Sequence, residues 1–179
     1  SQEASLAMVE RAQMAGYDTL ILTVDVPQVS RRVRDLRNGF TVPFAMTPRA
    51  FLDFATHPSW SLSTLTAGAP PPLTLTDTTG SNTFDRGANR SGADWAFLEI
   101  LRDKWQGKLV VKGVTSAADA SRVHSLGADA IYVSNHGGRQ LDSVPPSIQL
   151  LPLIRAAVGP EVPLLSDSGI RNVEDIVNA

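Results

Sequence analysis

The 179-residue chain contains no cysteine, and this absence excludes disulfide bonds and thiol catalysis. Its three histidines lie far apart in the sequence, so a zinc site is not expected. No apolar run approaches the roughly 20 residues that a membrane-spanning helix needs. The 16 basic and 18 acidic side chains nearly balance, which gives no reason to expect nucleic acid as a partner. What is present is an apolar content of 42%, which is typical of a chain that folds around a buried core.

Short apolar segments alternate with helical patterns along most of the chain. Helices are predicted at residues 5–15, 94–105, 115–127, 146–159 and 172–179, and strands at 19–27, 108–114, 130–136 and 163–169. Residues 44–89 are predicted to form a long, partly irregular loop insertion, because their periodicity is weak and they contain a run of three prolines. Within them, a short helix is predicted at 48–56 (PRAFLDFAT) and a loop at 57–60 (HPSW).

Two stretches, AGYDTLILTVD (15–25) and LGADAIYVSNH (126–136), align without a gap. Thr23 and Asp25 then correspond to Ser134 and His136, and the alternation of a strand puts each pair on one face. Alternating helices and strands predict parallel strands with right-handed crossovers, which occur in doubly wound sheets and in barrels. The internal repeat favours the barrel.

Four ionisable residues stand at the ends of predicted strands: Asp25, Lys112, His136 and Asp167. Each follows mainly apolar residues, where an unpaired charge is costly. A purely structural network of ion pairs could account for them. The alternative is a single site at the carboxyl end of a barrel, built from several strands.

Four motifs in this order carry a family resemblance: LTVDVP followed by RR and RDLRN, then LVVKG, SNHGGRQLD and SDSGIR. Together they resemble the FMN-dependent 2-hydroxy acid oxidases and dehydrogenases, which include glycolate oxidase, L-lactate dehydrogenase and mandelate dehydrogenase. HPSWSL and LRDKW are most similar to the membrane-associated lactate and mandelate dehydrogenases. The resemblance extends over residues 1–179.

The resemblance implies an α/β fold, a (β/α)₈ TIM barrel of which this chain covers roughly strands four to seven, with a long loop after its first strand. A whole barrel of this kind needs about 250 residues. We therefore expect residues 1–179 to be part of a longer subunit with a partial FMN-binding barrel.

The resemblance also implies roles in catalysis and substrate binding. His136 matches the active-site base, and Asp25 matches the carboxylate that pairs with it. Arg139 and Arg32 match the arginines that bind the substrate carboxylate, for which a planar guanidinium is well suited. Arg32 is chosen within a cluster of arginines because it lies seven residues after Asp25.

The glycines after His136 are expected to allow unusual backbone angles and a close approach of ligand to the chain. The cofactor implied is FMN, and no metal is expected. Lys112 matches the residue beside flavin N1 and the C2 oxygen; Thr23, Ser134 and Asp167 match contacts to the flavin and its ribityl chain; and Gly169 and Arg171 match the phosphate site. Ser168 stands where the family commonly has glycine.

The activity implied is oxidation of a lactate- or mandelate-like L-2-hydroxy acid to the 2-oxo acid. The electron acceptor could be a quinone, a cytochrome or oxygen. We expect a homo-oligomer in the cytoplasm, with peripheral contact at the inner face of the cell membrane through residues 44–89. Two alternatives remain: a non-catalytic partial barrel, or another FMN-binding barrel enzyme such as a type 2 isopentenyl diphosphate isomerase, which should lack the arrangement of His136 and Arg139.

Overall fold

The computed structural model describes residues 2–26, 33–39, 45–68 and 93–178. The chain divides into a sheet unit, Ser1–Ser30 with Arg86–Ala179, and a helical unit, Arg31–Asp85. The elements are, in order, α1 (Gln2–Met14), β1 (Thr19–Thr23), α2 (Val33–Arg37), α3 (Pro48–Thr56), α4 (Pro58–Ala67), α5 (Trp95–Lys104), β2 (Lys108–Val114), α6 (Ala117–Ser125), β3 (Ala130–Val133), a 3₁₀ turn (His136–Gly138), α7 (Ser147–Val158), β4 (Leu164–Ser166) and α8 (Val173–Asn178).

In the sheet unit, four strands form one parallel sheet whose spatial order follows the chain order, β1-β2-β3-β4. A doubly wound sheet reverses its strand order at a switch point. Consecutive βα units of a barrel instead add strands in one direction around the axis. The four strands therefore agree with the partial (β/α)₈ barrel expected from the sequence.

The hydrophobic core lies between one face of the sheet and the helices of the sheet unit. Alternate strand residues such as Leu109, Val111 and Ile131 are buried there with side chains from α5, α6 and α7. The strand register aligns Thr23, Lys112 and Tyr132, which belong to the opposite face. The helix-covered face thus forms the core, and the opposite face carries Thr23, Lys112 and Tyr132 near its carboxyl end together with apolar residues such as Ile21 and Val110.

A carboxylate ties the amino-terminal ends of β2 and β3 to α5. Asp129 accepts hydrogen bonds from the Leu109 backbone N–H at 2.9 Å and from Arg102 and Lys108 at 3.0 Å. The Leu109 bond is the main reason that the pKa of Asp129 lies below its ordinary 3.8; burial opposes this, and the two cations add to it. Arg102 also donates to the carbonyls of Gly127 and Gly107.

Local caps explain where several helices begin. Asp94 and Ser116 accept hydrogen bonds from the backbone N–H groups of Phe97 and Asp119, and so cap α5 and α6. β2 has the predicted bounds, whereas β1, β3 and β4 are shorter than the sequence predicts. β1 ends at Thr23, although the Val24 N–H still donates to the Lys112 carbonyl at 2.9 Å.

The helical unit contains α2 and the consecutive helices α3 and α4. Thr47 caps α3, which confirms the helix predicted at residues 48–56. The loop predicted at residues 57–60 is wrong, because α4 begins at Pro58. Proline suits the first position of a helix, since its ring fixes φ and no N–H is needed there. Residues 44 and 69–89 of the predicted insertion lie outside the described ranges.

The rings of Phe54 and Trp60 pack with centroids 5.1 Å apart, and the Ser61 hydroxyl donates to the Phe54 carbonyl. These contacts hold α3 and α4 together at His57. Among the helices within the described ranges, none is both long and apolar enough to cross a bilayer.

Candidate active site

An imidazole and a carboxylate meet at the carboxyl end of the sheet. The Nδ1 atom of His136 lies 3.3 Å from both carboxylate oxygens of Asp25. The side chains are 31% and 13% exposed, so the pair is partly shielded from water. A carboxylate at Nδ1 orients the ring and leaves Nε2 free of that contact, which is the arrangement of a positioned proton acceptor.

The turn that carries His136 is left-handed over three consecutive residues. His136, Gly137 and Gly138 have φ values of 56°, 65° and 71°. Left-handed backbone is costly for a residue with a Cβ, so His136 is held there by its surroundings. The Ser134 hydroxyl accepts from the His136 N–H at 3.1 Å, and the Asn135 side chain accepts from the Gly137 N–H at 3.0 Å.

Lys112 brings a positive charge to the same end of the sheet. Its Nζ donates to the Ser134 hydroxyl at 2.8 Å and forms an ion pair with Asp167, which follows β4. The same Nζ lies 4.3 Å from the centre of the Tyr132 ring, within cation–π distance. Three neighbouring strands therefore position one ammonium group.

Asp167 is stabilised as a carboxylate. Burial raises its pKa, but hydrogen bonds from Lys112, Ser134 and Ser168 outweigh burial and hold the pKa below its ordinary 3.8. At neutral pH the charges of Asp167 and Lys112 thus compensate each other at this end of the sheet.

Ser168 connects the β4 end to the histidine turn. Its hydroxyl accepts from the Gly137 N–H at 3.0 Å and donates to Asp167 Oδ1 at 2.9 Å, with φ of 76°. With the peptide bond between His136 and Gly137, these hydrogen bonds form a closed ring of contacts, which we call the hydrogen-bond ring. Its members are Lys112, Ser134, His136, Gly137, Ser168 and Asp167.

The other residues singled out in the sequence are less enclosed. Thr23 ends β1 in register with Lys112, and Arg139 follows the turn with an exposed side chain. Gly169 has φ of 98°, and the exposed Arg171 donates its backbone N–H to Asp175 at 2.9 Å. Arg32 lies outside the described residues.

Three residues that the sequence analysis did not single out also contribute side chains to the site. Tyr132 lies under Lys112, Asn135 also donates to the Pro145 carbonyl at 3.3 Å, and the buried Ser147 donates to the Asp167 carbonyl. An asparagine before glycines is a known turn signal, so Asn135 could have been found from sequence. Tyr132 could have been found from its place two residues before Ser134, whereas no local pattern marks Ser147.

Comparison with known families gives a match over the whole chain. A family model described as FMN-dependent dehydrogenase matches residues 1–179. The L-lactate dehydrogenase of Pseudomonas syringae pv. syringae is 41% identical over 182 residues, which cover 94% of this chain and 46% of that protein. A putative L-lactate dehydrogenase of Mycobacterium tuberculosis is 40% identical over 184 residues, covering 99% of this chain and 43% of that protein.

Solved structures that superpose on this chain include a mandelate dehydrogenase and a mandelate oxidase. A monotopic membrane protein, (S)-mandelate dehydrogenase, superposes with a TM-score of 0.88 at 38% identity, covering 99% of this chain and 48% of that one. A mandelate oxidase superposes with a TM-score of 0.68 at 33% identity, covering 99% and 42%. The chain spans less than half the length of these relatives.

Proposed function

Because the chain belongs to the FMN-dependent dehydrogenase family, we propose that the protein oxidises an L-2-hydroxy acid to the 2-oxo acid with FMN as its cofactor. The observation that carries this proposal is the pair of His136 and Asp25, 3.3 Å apart, at the same sheet end as Lys112. Relatives named L-lactate dehydrogenase and (S)-mandelate dehydrogenase suggest a lactate- or mandelate-like substrate.

The side chains at this end fit a flavin nucleotide. A flavin needs a cation near N1 and the C2 oxygen, where negative charge collects on reduction, and polar groups along its ribityl chain. Lys112 is the cation in our proposal, with Thr23, Ser134 and Asp167 along the flavin and ribityl chain. Gly169 and Arg171 are proposed to hold the phosphate. When bound, FMN would accept the two electrons and one of the two protons that the substrate loses.

His136 is the proposed base. Oxidation removes two electrons and two protons from the substrate carbinol, and Nε2 of His136 takes one of those protons, from the α-carbon or the hydroxyl. Asp25 stabilises the resulting imidazolium and keeps Nδ1 as a donor. Arg139 and Arg32 are proposed to bind the substrate carboxylate and orient the carbinol toward Nε2.

The test is His136→Gln in the full-length, FMN-loaded protein, measured by anaerobic stopped-flow bleaching of the flavin with L-lactate and (S)-mandelate. FMN content should be unchanged, because none of the proposed flavin contacts is altered. The rate should fall ~10²–10⁴-fold, the usual effect of removing a general base. His124→Gln, on the exposed side of α6, is the matched control. Bleaching within a few-fold of the parent rate would contradict the role of His136.

We propose further that the helical unit contacts a membrane surface. Phe51, Leu52, Trp60, Leu62 and Leu65 on α3 and α4 are 57–81% exposed, and Arg49 and Asp53 are the only Arg, Lys, Asp or Glu residues in the sequence from 45 to 68. Such an apolar surface fits the boundary between lipid headgroups and acyl chains. A relative that is a monotopic membrane protein supports this proposal.

The proposed membrane contact favours an electron acceptor that is dissolved in the membrane. Of quinone, cytochrome and oxygen, a quinone dissolved in the membrane fits this contact best, and we propose it as the acceptor of a homo-oligomeric enzyme at the inner face of the cell membrane. Reduction of a short-chain quinone by the substrate-loaded enzyme tests this assignment. Faster reoxidation of the flavin by oxygen than by quinone would contradict it.

A further inference from the structure

Gly113 lies at an irregularity of β2, directly after Lys112. The pairing of β2 with β3 shifts register between Lys112 and Val114, so Gly113 is the extra residue of a bulge. The bulge lets Lys112 keep its place on the face opposite the core while Val114 returns to the core, where it is 4% exposed. The φ of Gly113 is 100°, a region that residues with a Cβ rarely adopt.

The space beside Gly113 is filled by Asp25. A Cβ added to Gly113 would lie 2.6 Å from both Cβ and Cγ of Asp25 and 2.9 Å from its backbone nitrogen. A Cβ atom essentially never makes non-bonded contacts shorter than 3.0 Å, so either Asp25 or β2 would have to move. The backbone next to Asp25 is fixed, because the Val24 N–H donates to the Lys112 carbonyl at 2.9 Å.

A shift of Asp25 would change its contact with the imidazole of His136. The Nδ1 atom of His136 lies 3.3 Å from both carboxylate oxygens of Asp25, which is near the upper limit for a hydrogen bond. A displacement of the carboxylate by about 1 Å would therefore break this contact. We propose that Gly113 is a positioning residue: the missing side chain lets the Asp25 carboxylate approach β2 closely enough to orient His136. This inference rests on the proposed function of that pair.

A second glycine provides a matched control. Gly16 has φ of 80°, and a Cβ added there would meet no atom within 4 Å. Gly16→Ala therefore introduces similar backbone strain without the crowding. The comparison separates the cost of a left-handed alanine from the displacement of Asp25.

The experiment is a double-mutant cycle in the full-length, FMN-loaded protein: Gly113→Ala, Asp25→Gly, and both together, with Gly16→Ala alongside. The readouts are the anaerobic rate of flavin reduction, the substrate KM, FMN content and the flavin reduction potential. Gly113→Ala should slow reduction by at least ~10²-fold, while KM and the reduction potential stay near parent values. In the Asp25→Gly background it should change the rate by less than about threefold, because neither the carboxylate nor the Cβ that the alanine would contact is present. Gly16→Ala should retain the parent rate.

Parent-like rates in Gly113→Ala, or full additivity in the double variant, would overturn the inference and leave the proposed function intact. Parent-like rates in Asp25→Gly would overturn both. If Gly113→Ala fails to retain FMN, Asp25→Gly in the same chain should restore FMN content, because it removes the two shortest contacts. Failure of that rescue would also overturn the inference.

Discussion

Lys112 is held by partners of three kinds: the carboxylate of Asp167, the hydroxyl of Ser134 and the face of Tyr132. A lysine side chain has four rotatable bonds, and these contacts fix its ammonium group at one point. Removing the ammonium would leave the partly buried Asp167 carboxylate next to the proposed flavin position. Lys112 therefore affects the electrostatics there both by its own charge and by compensating that carboxylate.

We expect Lys112→Met to lower the flavin reduction potential and to slow flavin reduction by ~10²-fold, because positive charge no longer opposes the charge of the reduced ring. Equilibration with a reference dye measures the potential, and stopped flow measures the rate. Arg171→Ala is the comparison: it should weaken FMN retention and leave the potential of bound flavin unchanged. An unchanged potential in Lys112→Met would refute its proposed place beside the flavin.

β2 is anchored at both ends by charged side chains from other elements. Asp129 binds the Leu109 N–H and Lys108 at its beginning, and Asp167 binds Lys112 near its end. Because the Asp129 contacts also reach Arg102 on α5, they join a helix and two strands at the end of the sheet away from the site. This end should affect stability rather than chemistry.

Asp129→Ala in the full-length protein should lower the free energy of unfolding by ~1–3 kcal/mol, because a backbone N–H and two cations lose their acceptor. The pKa of Asp129 is lowered in the folded state, so its stabilisation is fully present above its ordinary 3.8 and is lost as the pH falls through the lower folded value. Urea unfolding from neutral pH to about pH 3 should therefore show a shrinking difference between parent and variant. The exposed Asp103→Ala on α5 is the control, and a difference that does not shrink would contradict the assignment.

Elements with local signals could be predicted from the sequence. α5 and α6 have capping residues, Asp94 and Ser116, and an apolar periodicity that matches their buried sides. α4 was missed because its sequence, PSWSLSTLTA, is rich in serine and threonine, whose side chains compete for backbone hydrogen bonds and resemble a loop. Its start at Pro58 could have been read as a first helical position.

Some residues of the candidate site could likewise be predicted from the sequence, whereas other contacts could not. His136 and Asp25 could be singled out because they stand at strand ends in recognisable motifs, and the fold brings them together. The approach of Gly113 to Asp25 depends on the spacing of two adjacent strands at a bulge, which no local pattern encodes. The bridge from Ser168 to Gly137 likewise depends on how two loops end beside each other.

At the scale of the whole molecule, the apolar surface of α3 and α4 should determine how the protein partitions onto lipid. Leu62→Ser with Leu65→Ser should weaken binding to lipid vesicles by at least ~10-fold, because two exposed leucines no longer leave water. FMN content should be unchanged, since no proposed flavin contact lies in the helical unit. Sedimentation with vesicles and flavin absorbance measure the two properties.

The control for this experiment is Leu153→Ser, which removes an exposed leucine from α7 in the sheet unit. It should leave vesicle binding within about twofold of the parent. Equal losses from the two changes would mean that vesicle binding is not specific to the helical unit. Loss of FMN from the α4 variant would mean that the helical unit contributes to cofactor retention, contrary to the proposed flavin contacts.

The hydrogen-bond ring joins the proposed cofactor side, at Lys112 and Asp167, to the base side, at His136 and Gly137. We expect a ligand that orders these hydrogen bonds on one side to order the groups on the other side as well. Coupling between two ligands is reciprocal, so the factor by which FMN raises the affinity for a hydroxy acid equals the factor by which the hydroxy acid raises the affinity for FMN. If the ring couples the two ligands in this way, added L-2-hydroxy acid should slow the loss of FMN from the full-length protein, and flavin release after dilution with and without the hydroxy acid measures the effect.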